Sequence, residues 1–399
     1  MLDGIKVIEH ATYMAAPGAG GILSDWGADV IKIEPPGGDP IRKFFSTIGT
    51  DLTDNPVFDF DNRGKKSMVL DTRTEEGQKI LRELAADADV FLTNVRPGGL
   101  SRSGLDFASL SKINPKLVYC TLTGYGLEGP DADKPGFDVA SFWSRAGVGH
   151  LTVPKGQEPF ALRTAFGDHT TSMAAAAGIC AALVKAQRTG QGQLVEASLL
   201  RAALFAMGSD FAIQLFFGRI GSTKSRHEQI QPLMNFFKTK DDSWICIVSR
   251  QGNVDWAPLC RVMDRADLIE DERFTTGKSR RKHAAELVTL MDEEFGKYTK
   301  AEIAQRLDDE AIAWAPVQTL AEVAADPQVK AAGAIQQVPS ASGDGTSFAS
   351  PGSPIRFPGV NDGPSGPSPR MGEHSKDVLE ALGYDAARIE ALAQAGVLG

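Results

Sequence analysis

Ala165–Gly178 reads AFGDHTTSMAAAAG, a glycine and an aspartate directly before a run of small residues. Two chemistries fit Asp168. As a helix N-cap, its oxygen would accept from the backbone N–H of Thr170 or Thr171. As a reagent, its carboxylate would attack an activated acyl group and form a covalent intermediate. Gly167 permits an unusual backbone angle or a close ligand approach. Ser172–Ala177 carries little side-chain bulk, which leaves room for something to lie against it. A helix dipole at this position is expected to keep the carboxylate ionised.

A second acidic candidate is Asp138 in KPGFD. It reads either as a turn or cap aspartate, or as a group that positions substrate and tunes Asp168 by like-charge repulsion. Oxyanion donors would come from backbone N–H groups at the Asp168 helix start or in the TGYG turn, Thr123–Gly126. Basic residues follow successive apolar runs: Arg42 after GGDP, Lys65 and Lys66, Arg73, Arg96 and Arg102, with Asn94 among them. Singly each reads as a solvated surface charge. Jointly, after the ends of parallel strands, they suit phosphate groups.

Other site chemistries fall away. APGAGGILSDWGADVIKIE resembles a dinucleotide fingerprint, but Leu23 stands where the third glycine is required. A small-residue helix packed on a sheet is the simpler reading. No G-x-S-x-G elbow and no GxxxxGK[ST] loop occurs. The six histidines and four cysteines are dispersed, without HExxH or CxxC spacing, so neither a protein-built metal site nor a redox cofactor is expected. The cysteines sit in apolar contexts and are expected to be buried free thiols.

The elements that must position these groups alternate. Apolar runs at Lys6–Glu9, Val30–Ile33, Ser67–Leu70, Val90–Leu92, Leu117–Leu122 and Gln193–Glu196 are interleaved with helical patterns. That alternation predicts an α/β fold, a Rossmann-like parallel sheet covered on both faces. Thr72 and Glu75 have capping-box spacing for a helix over Glu75–Ala86. An apolar helix is expected over Leu199–Phe217. Ile220–Gln231 reads as a linker, and Asn235–Val248 as a hairpin turning at Asp241–Asp242. A smaller α+β unit follows. Ser340–Arg370 is rich in Gly, Ser and Pro and predicts an extended arm running over a surface. The expected domains are 1–219, 220–325, and 326–399 as a return arm whose helices complete the large domain.

The chain has 399 residues and a net charge of −9, which makes nucleic acid an unlikely partner. No apolar run has membrane-spanning length, so no membrane partner is expected. MLDGIKVIEH lacks the features of a signal peptide. A reducing cytoplasm is the expected compartment.

Taken in order, LDGIKVIE, WGADVIKIEPPGGDPIR, NRGKKSMVLD, ADVFLTNVRPGGLSRSGLD, TGYGLEGP, KPGFDVASFWSRAG, Gly167-Asp168, KAQRTGQGQLVEASLL and MGEHSKDVLEALGY resemble a class III CoA-transferase nearly end to end. That group includes formyl-CoA:oxalate and carnitine CoA-transferases and α-methylacyl-CoA racemases. The resemblance implies a nucleophilic Asp168, a second acidic residue at Asp138, and acyl-CoA plus a carboxylic acid as substrates. It implies CoA contacts at Leu70, Arg73, Asn94 and Arg102; Lys134 stands one residue from a family lysine. It also implies an interlocked homodimer. The racemase branch carries a histidine where this chain has Phe137, which cannot take a proton. The oxalate branch carries a first-loop glutamine where this chain has Met14, and a four-glycine run absent near Pro232–Phe236. The pattern is most similar to the branch using 2-hydroxy acids such as phenyllactate. A racemase or isomerase and a non-catalytic acyl-CoA binder are the alternatives.

Overall fold

The computed structural model describes residues 1–49, 55–161, 163–250, 252–343, 345–360 and 362–398. It divides into two compact units: Met1–His150 with Phe160–Ile220 and Lys330 onward, and Leu151–Pro159 with Gly221–Val329. The stretch Leu151–Pro159, which the sequence places in the large domain, joins the second unit; Lys155 N donates to Thr223 O at 3.2 Å.

The large unit is built on β1 (Lys6–His10), β2 (Asp29–Glu34), β3 (Lys66–Val69), β4 (Val90–Thr93), β5 (Val118–Thr123) and β6 (Gln193–Ser198). These form one parallel sheet in the order β3-β2-β1-β4-β5-β6. The order reverses between β1 and β4, the switch point where open parallel sheets bind ligands. The strands are apolar on both faces, with a period of two. Val7, Val90, Leu92, Val118 and Cys120 pack on one face, under α1 (Ala15–Asp25) and the long helix that carries Asp168. Ile8, Phe91 and Tyr119 pack on the other. There they meet the helix Glu75–Ala86 and the C-terminal helices Ser375–Ala381 and Ala386–Gln394.

Several local expectations are displaced. The Glu75–Ala86 helix is capped by Thr74, whose hydroxyl accepts from Gly77 N at 3.0 Å, not by Thr72. Gly18 and Gly20 lie inside α1 rather than in a phosphate loop. A Cβ on Gly18 would come 2.6 Å from Ser172 Oγ, and one on Gly20 2.0 Å from Glu9 Oε2, so these glycines serve close packing. The apolar stretch Leu199–Phe217 is two helices, Leu199–Ala206 and Gly208–Phe217, bent by 83°. The Gly/Ser/Pro arm holds the second strand of a hairpin, Ser347–Pro351, which pairs with Ile335–Pro339 just before the arm. It is tied down by Arg63 Nη1 to Pro351 O (2.7 Å) and Gly64 N to Pro367 O (2.9 Å). All four cysteines are free; Cys120 and Cys260 are buried, Cys180 and Cys246 only partly.

The second unit is a three-stranded antiparallel sheet, Asn235–Lys238, Trp244–Ile247 and Trp314–Val317. Its hairpin turns through Asp242 at φ 60°. Helices Trp256–Val262, Ala284–Phe295 and Lys300–Asp309 bury Phe237, Ile245, Leu287 and Phe295 against it.

Candidate functional site

The helix carrying Asp168, α2 (Phe166–Thr189), connects β5 to the parallel β6 and so starts at the carboxyl edge of the sheet. α1 follows β1 and starts at the same edge. Ser172 Oγ joins the two starts by donating to Ala15 O at 2.6 Å. The N-cap of α2 is Ala165, held left-handed at φ 64°, not Asp168. A non-glycine residue there is strained, a cost that clusters at functional positions.

The capping role that the sequence left open for Asp168 is filled by Asp138. Its Oδ2 accepts from Gly167 N at 3.0 Å. A Cβ on Gly167 would sit 2.3 Å from Asp138 Oδ1 and 2.4 Å from Phe142 Cγ, so only glycine admits this approach. Asp138 is itself fixed from two sides. The TGYG and KPGFD turns touch through their glycines, where a Cβ on Gly124 would lie 2.5 Å from Gly136 Cα. A π-helical segment, Val139–Arg145, follows directly; such segments recur at functional sites. Asp138 Oδ1 is buried and has no partner among the described residues.

Released from capping, Asp168 lies partly buried in the first helical turn. Burial, then the Asp138 charge, pushes its carboxyl from 3.8 up to about 7, against the pull of His169. Desolvation therefore outweighs the helix dipole that was expected to hold it ionised. Burial also raises Asp138, opposed by the Gly167 and Asp168 N–H groups. A carboxylate of raised basicity is a stronger nucleophile than an ordinary one, and at neutral pH a substantial fraction is ionised. Two oxyanion-donor candidates are already engaged: Gly167 N by Asp138, and Gly126 N by Thr123 Oγ1 at 2.9 Å.

The basic candidates separate into two sets. Arg42 is not free for phosphate: Nε and Nη2 grip Glu34 at 2.7 and 2.6 Å, and its guanidinium lies 3.9 Å over the Phe58 ring. Lys65 is buried, donating to Glu9 Oε2 at 2.6 Å and Pro17 O at 2.8 Å. Lys66 pairs with Asp29 at 2.8 Å. Arg73, Arg96 and Arg102 are exposed, following β3 and β4 at the carboxyl edge. Arg73 forks onto Asp71 at 2.8 Å. Leu70 is buried just past β3. Asn94 clasps the first loop across the switch point, donating to Thr12 O at 2.7 Å and accepting from Thr12 N at 3.1 Å. Lys134 is exposed and pairs with Asp131 at 2.5 Å.

Two groups escaped the sequence. Asp61, on the helix Pro56–Asn62, is buried with its Oδ1 3.1 Å from His169 Nε2. Lys32 is fully buried at mid-strand, bridging Glu9 (3.0 Å) and Asp39 (2.8 Å). A charge between apolar neighbours in DVIKIE was the one available signal.

The fold is mixed α/β, with a parallel sheet of Rossmann order and Asp168 at its carboxyl edge. The chain belongs to CoA-transferase family III, whose model matches residues 2–375. It is 35% identical to the cinnamoyl-CoA:phenyllactate CoA-transferase of Clostridium sporogenes, covering 98% of this chain and 96% of that protein. It is 33% identical to the (R)-2-hydroxy-4-methylpentanoate CoA-transferase of Clostridioides difficile, covering 98% and 97%. Among solved structures it matches a CAIB/BAIF family protein from Brucella suis with a TM-score of 0.84, at 32% identity, over 96% of this chain and 99% of that one. The protein is thus a family III CoA-transferase, acting on CoA thioesters.

Proposed function

We propose that the enzyme moves CoA between an acyl-CoA and a free carboxylic acid through covalent intermediates on Asp168. The Asp168 carboxylate attacks the thioester carbonyl, the C–S bond breaks, and an aspartyl anhydride and CoA thiolate form. The thiolate attacks the Asp168 carbonyl carbon, releasing the donor acid and leaving an aspartyl-CoA thioester. The acceptor carboxylate attacks that thioester, giving a second anhydride and thiolate. The thiolate then attacks the acceptor acyl carbon, and Asp168 is regenerated. Binding of the remote CoA nucleotide by Arg73, Arg96 and Arg102 keeps the thiolate near the anhydride, which lowers the entropic cost of each return step.

One observation carries this reading: Asp168 is a partly buried carboxyl raised to about 7 by burial and by Asp138, with its helix-capping duty taken by Asp138. Asp168→Asn tests it. Transfer should fall by about 10⁴-fold or more, as for loss of a covalent nucleophile, while CoA binding by calorimetry persists. Transfer that survives largely intact contradicts it.

The 2-hydroxy acid relatives support an apolar 2-hydroxy acid as acceptor. So does the aromatic rim of this site. Tyr13 and the 59%-exposed Phe137 meet edge-to-face at 6.0 Å, and Phe166 is exposed immediately before Gly167. Phe137 disfavours racemisation, because it offers no proton. A homodimer of interlocked chains belongs to the same proposal. Its support is the apolar surface of Leu199–Phe217, where Phe205, Leu215, Phe216 and Phe217 are exposed. Four free thiols suit a reducing cytoplasm.

A further inference from the structure

The residue after Asp168 has no part in the covalent steps proposed above. Consecutive helix residues point about 100° apart, so His169 does not share the direction of Asp168. It reaches the Pro56–Asn62 helix, where its Nε2 lies 3.1 Å from Asp61 Oδ1 and its ring stands edge-on to Phe60 at 5.0 Å. Asp61 is only 2% exposed. Its backbone is fixed by α1, since a Cβ on Gly21 would lie 2.8 Å from Asp61 O. His169 and Asp61 also border a cavity of about 180 Å³ between α1 and α2.

The charges around His169 are lopsided. Asp168 adjoins it on its own helix, Asp61 faces it from Pro56–Asn62, and Asp138 faces it from the KPGFD turn. Behind Asp61 stand Lys65 and Glu9, which pair with each other. Burial disfavours the charged ring, yet the Asp61 hydrogen bond and the three carboxylates hold His169 above its ordinary value. A cation next to a carboxylate moves it by roughly one to three pH units.

We propose that His169, held as an imidazolium by Asp61, is a positioning residue that keeps Asp168 ionised against the neighbouring Asp138 carboxylate. The proposal rests on Asp168 being the nucleophile. Asp61 orients the ring and fixes its charge; the ring supplies the local positive charge that opposes Asp138. Neither group bonds to substrate. A purely structural pair would pin two helices together and leave the ionisation of Asp168 unmoved.

The test is a ¹³C NMR titration of the full chain labelled at aspartate carboxyl carbons, with the Asp168 signal assigned from Asp168→Asn. The wild-type midpoint should fall near 7. In His169→Gln it should move up by about one pH unit or more, so that the ionised fraction below the midpoint drops roughly tenfold. Asp61→Asn removes the ring's partner but also a carboxylate that itself raises Asp168, so its midpoint should rise less than that of His169→Gln. In the double variant the further change should be small. His169→Lys, which keeps a cation, should recover part of the shift. An Asp168 midpoint unchanged in folded His169→Gln overturns the proposal, and His169→Gln alone decides it should Asp61→Asn not fold. The titration needs no turnover. An active Asp168→Asn therefore removes the nucleophile reading while leaving the electrostatic result standing. A fixed midpoint with an inactive Asp168→Asn does the reverse.

Discussion

Two charge clusters in the large unit are built to opposite ends. Beneath the first loop, Glu9, Glu34 and Asp39 meet Lys32, Lys65 and Arg42, three carboxylates against three cations. Every contact is at ion-pair distance. Burial disfavours the Lys32 ammonium, but Glu9 and Asp39 more than offset that and hold it above its ordinary value. Asp39 also accepts from Tyr13 N and Ile41 N at 3.1 Å, fixing the loop before α1. At the other cluster three carboxyls, Asp168, Asp138 and Asp61, face one histidine. Asp138 Oδ1 lacks a partner among the described residues, and Asp168 is raised to about 7. A balanced cluster locks a loop. An unbalanced one stores reactivity, because carboxyls that are poorly stabilised as anions are basic at neutral pH.

The sharpest break of this contrast is Glu9→Gln. It removes the shared partner of two buried lysines, and stability should fall by about 3–5 kcal/mol in urea denaturation. A loss below about 1 kcal/mol would mean the first cluster is not a structural lock. Gly167→Ala comes next. The added methyl has no room beside Asp138 and Phe142, so overpacking should cost about 1–3 kcal/mol and transfer should fall with it.

Asp168→Asn should do the opposite and stabilise the fold at neutral pH. The sign follows from linkage. Asp168 releases its proton at about 7 in the folded chain and at its ordinary 3.8 when unfolded. Between those values the native state holds more protons, so this group lowers stability as pH rises. The gain from Asp168→Asn should be absent near pH 3.5, grow from pH 4 to 7, and level off above. A gain independent of pH would show that burial does not raise Asp168. The smallest effect belongs to Arg73→Gln. Its side chain is 82% exposed, and losing the one exposed phosphate contact proposed for it should raise KM for the acyl-CoA a few-fold, less at high salt.

The parallel sheet was legible because short apolar runs alternating with helical patterns have few other solutions. Lys6–Glu9 became Lys6–His10, and Leu117–Leu122 became Val118–Thr123. The Gly/Ser/Pro arm concealed its strand, since Ser347–Pro351 has no apolar alternation to betray it. Asp168 was legible as a special aspartate and Asp138 as an acidic group that tunes it, but the capping of Gly167 and the contact of His169 with Asp61 were not. Asp138 stands 29 positions away as the partner of Gly167, and Asp61 stands 108 away from His169. Long-range approaches of this kind leave no local spacing. The partners of Arg42 were hidden for the same reason: Glu34 and Phe58 meet it only in the fold.

The central claim is that Asp168 is a reagent. Its most direct test is intact-protein mass spectrometry after mixing with a panel of acyl-CoAs that includes aromatic and aliphatic 2-hydroxyacyl donors, with peptide mapping of any adduct. The expected result is an acyl-sized or CoA-sized adduct on the peptide containing Asp168, absent in Asp168→Asn. No adduct from any donor, while CoA binding is measurable and transfer proceeds, would contradict covalent catalysis at Asp168.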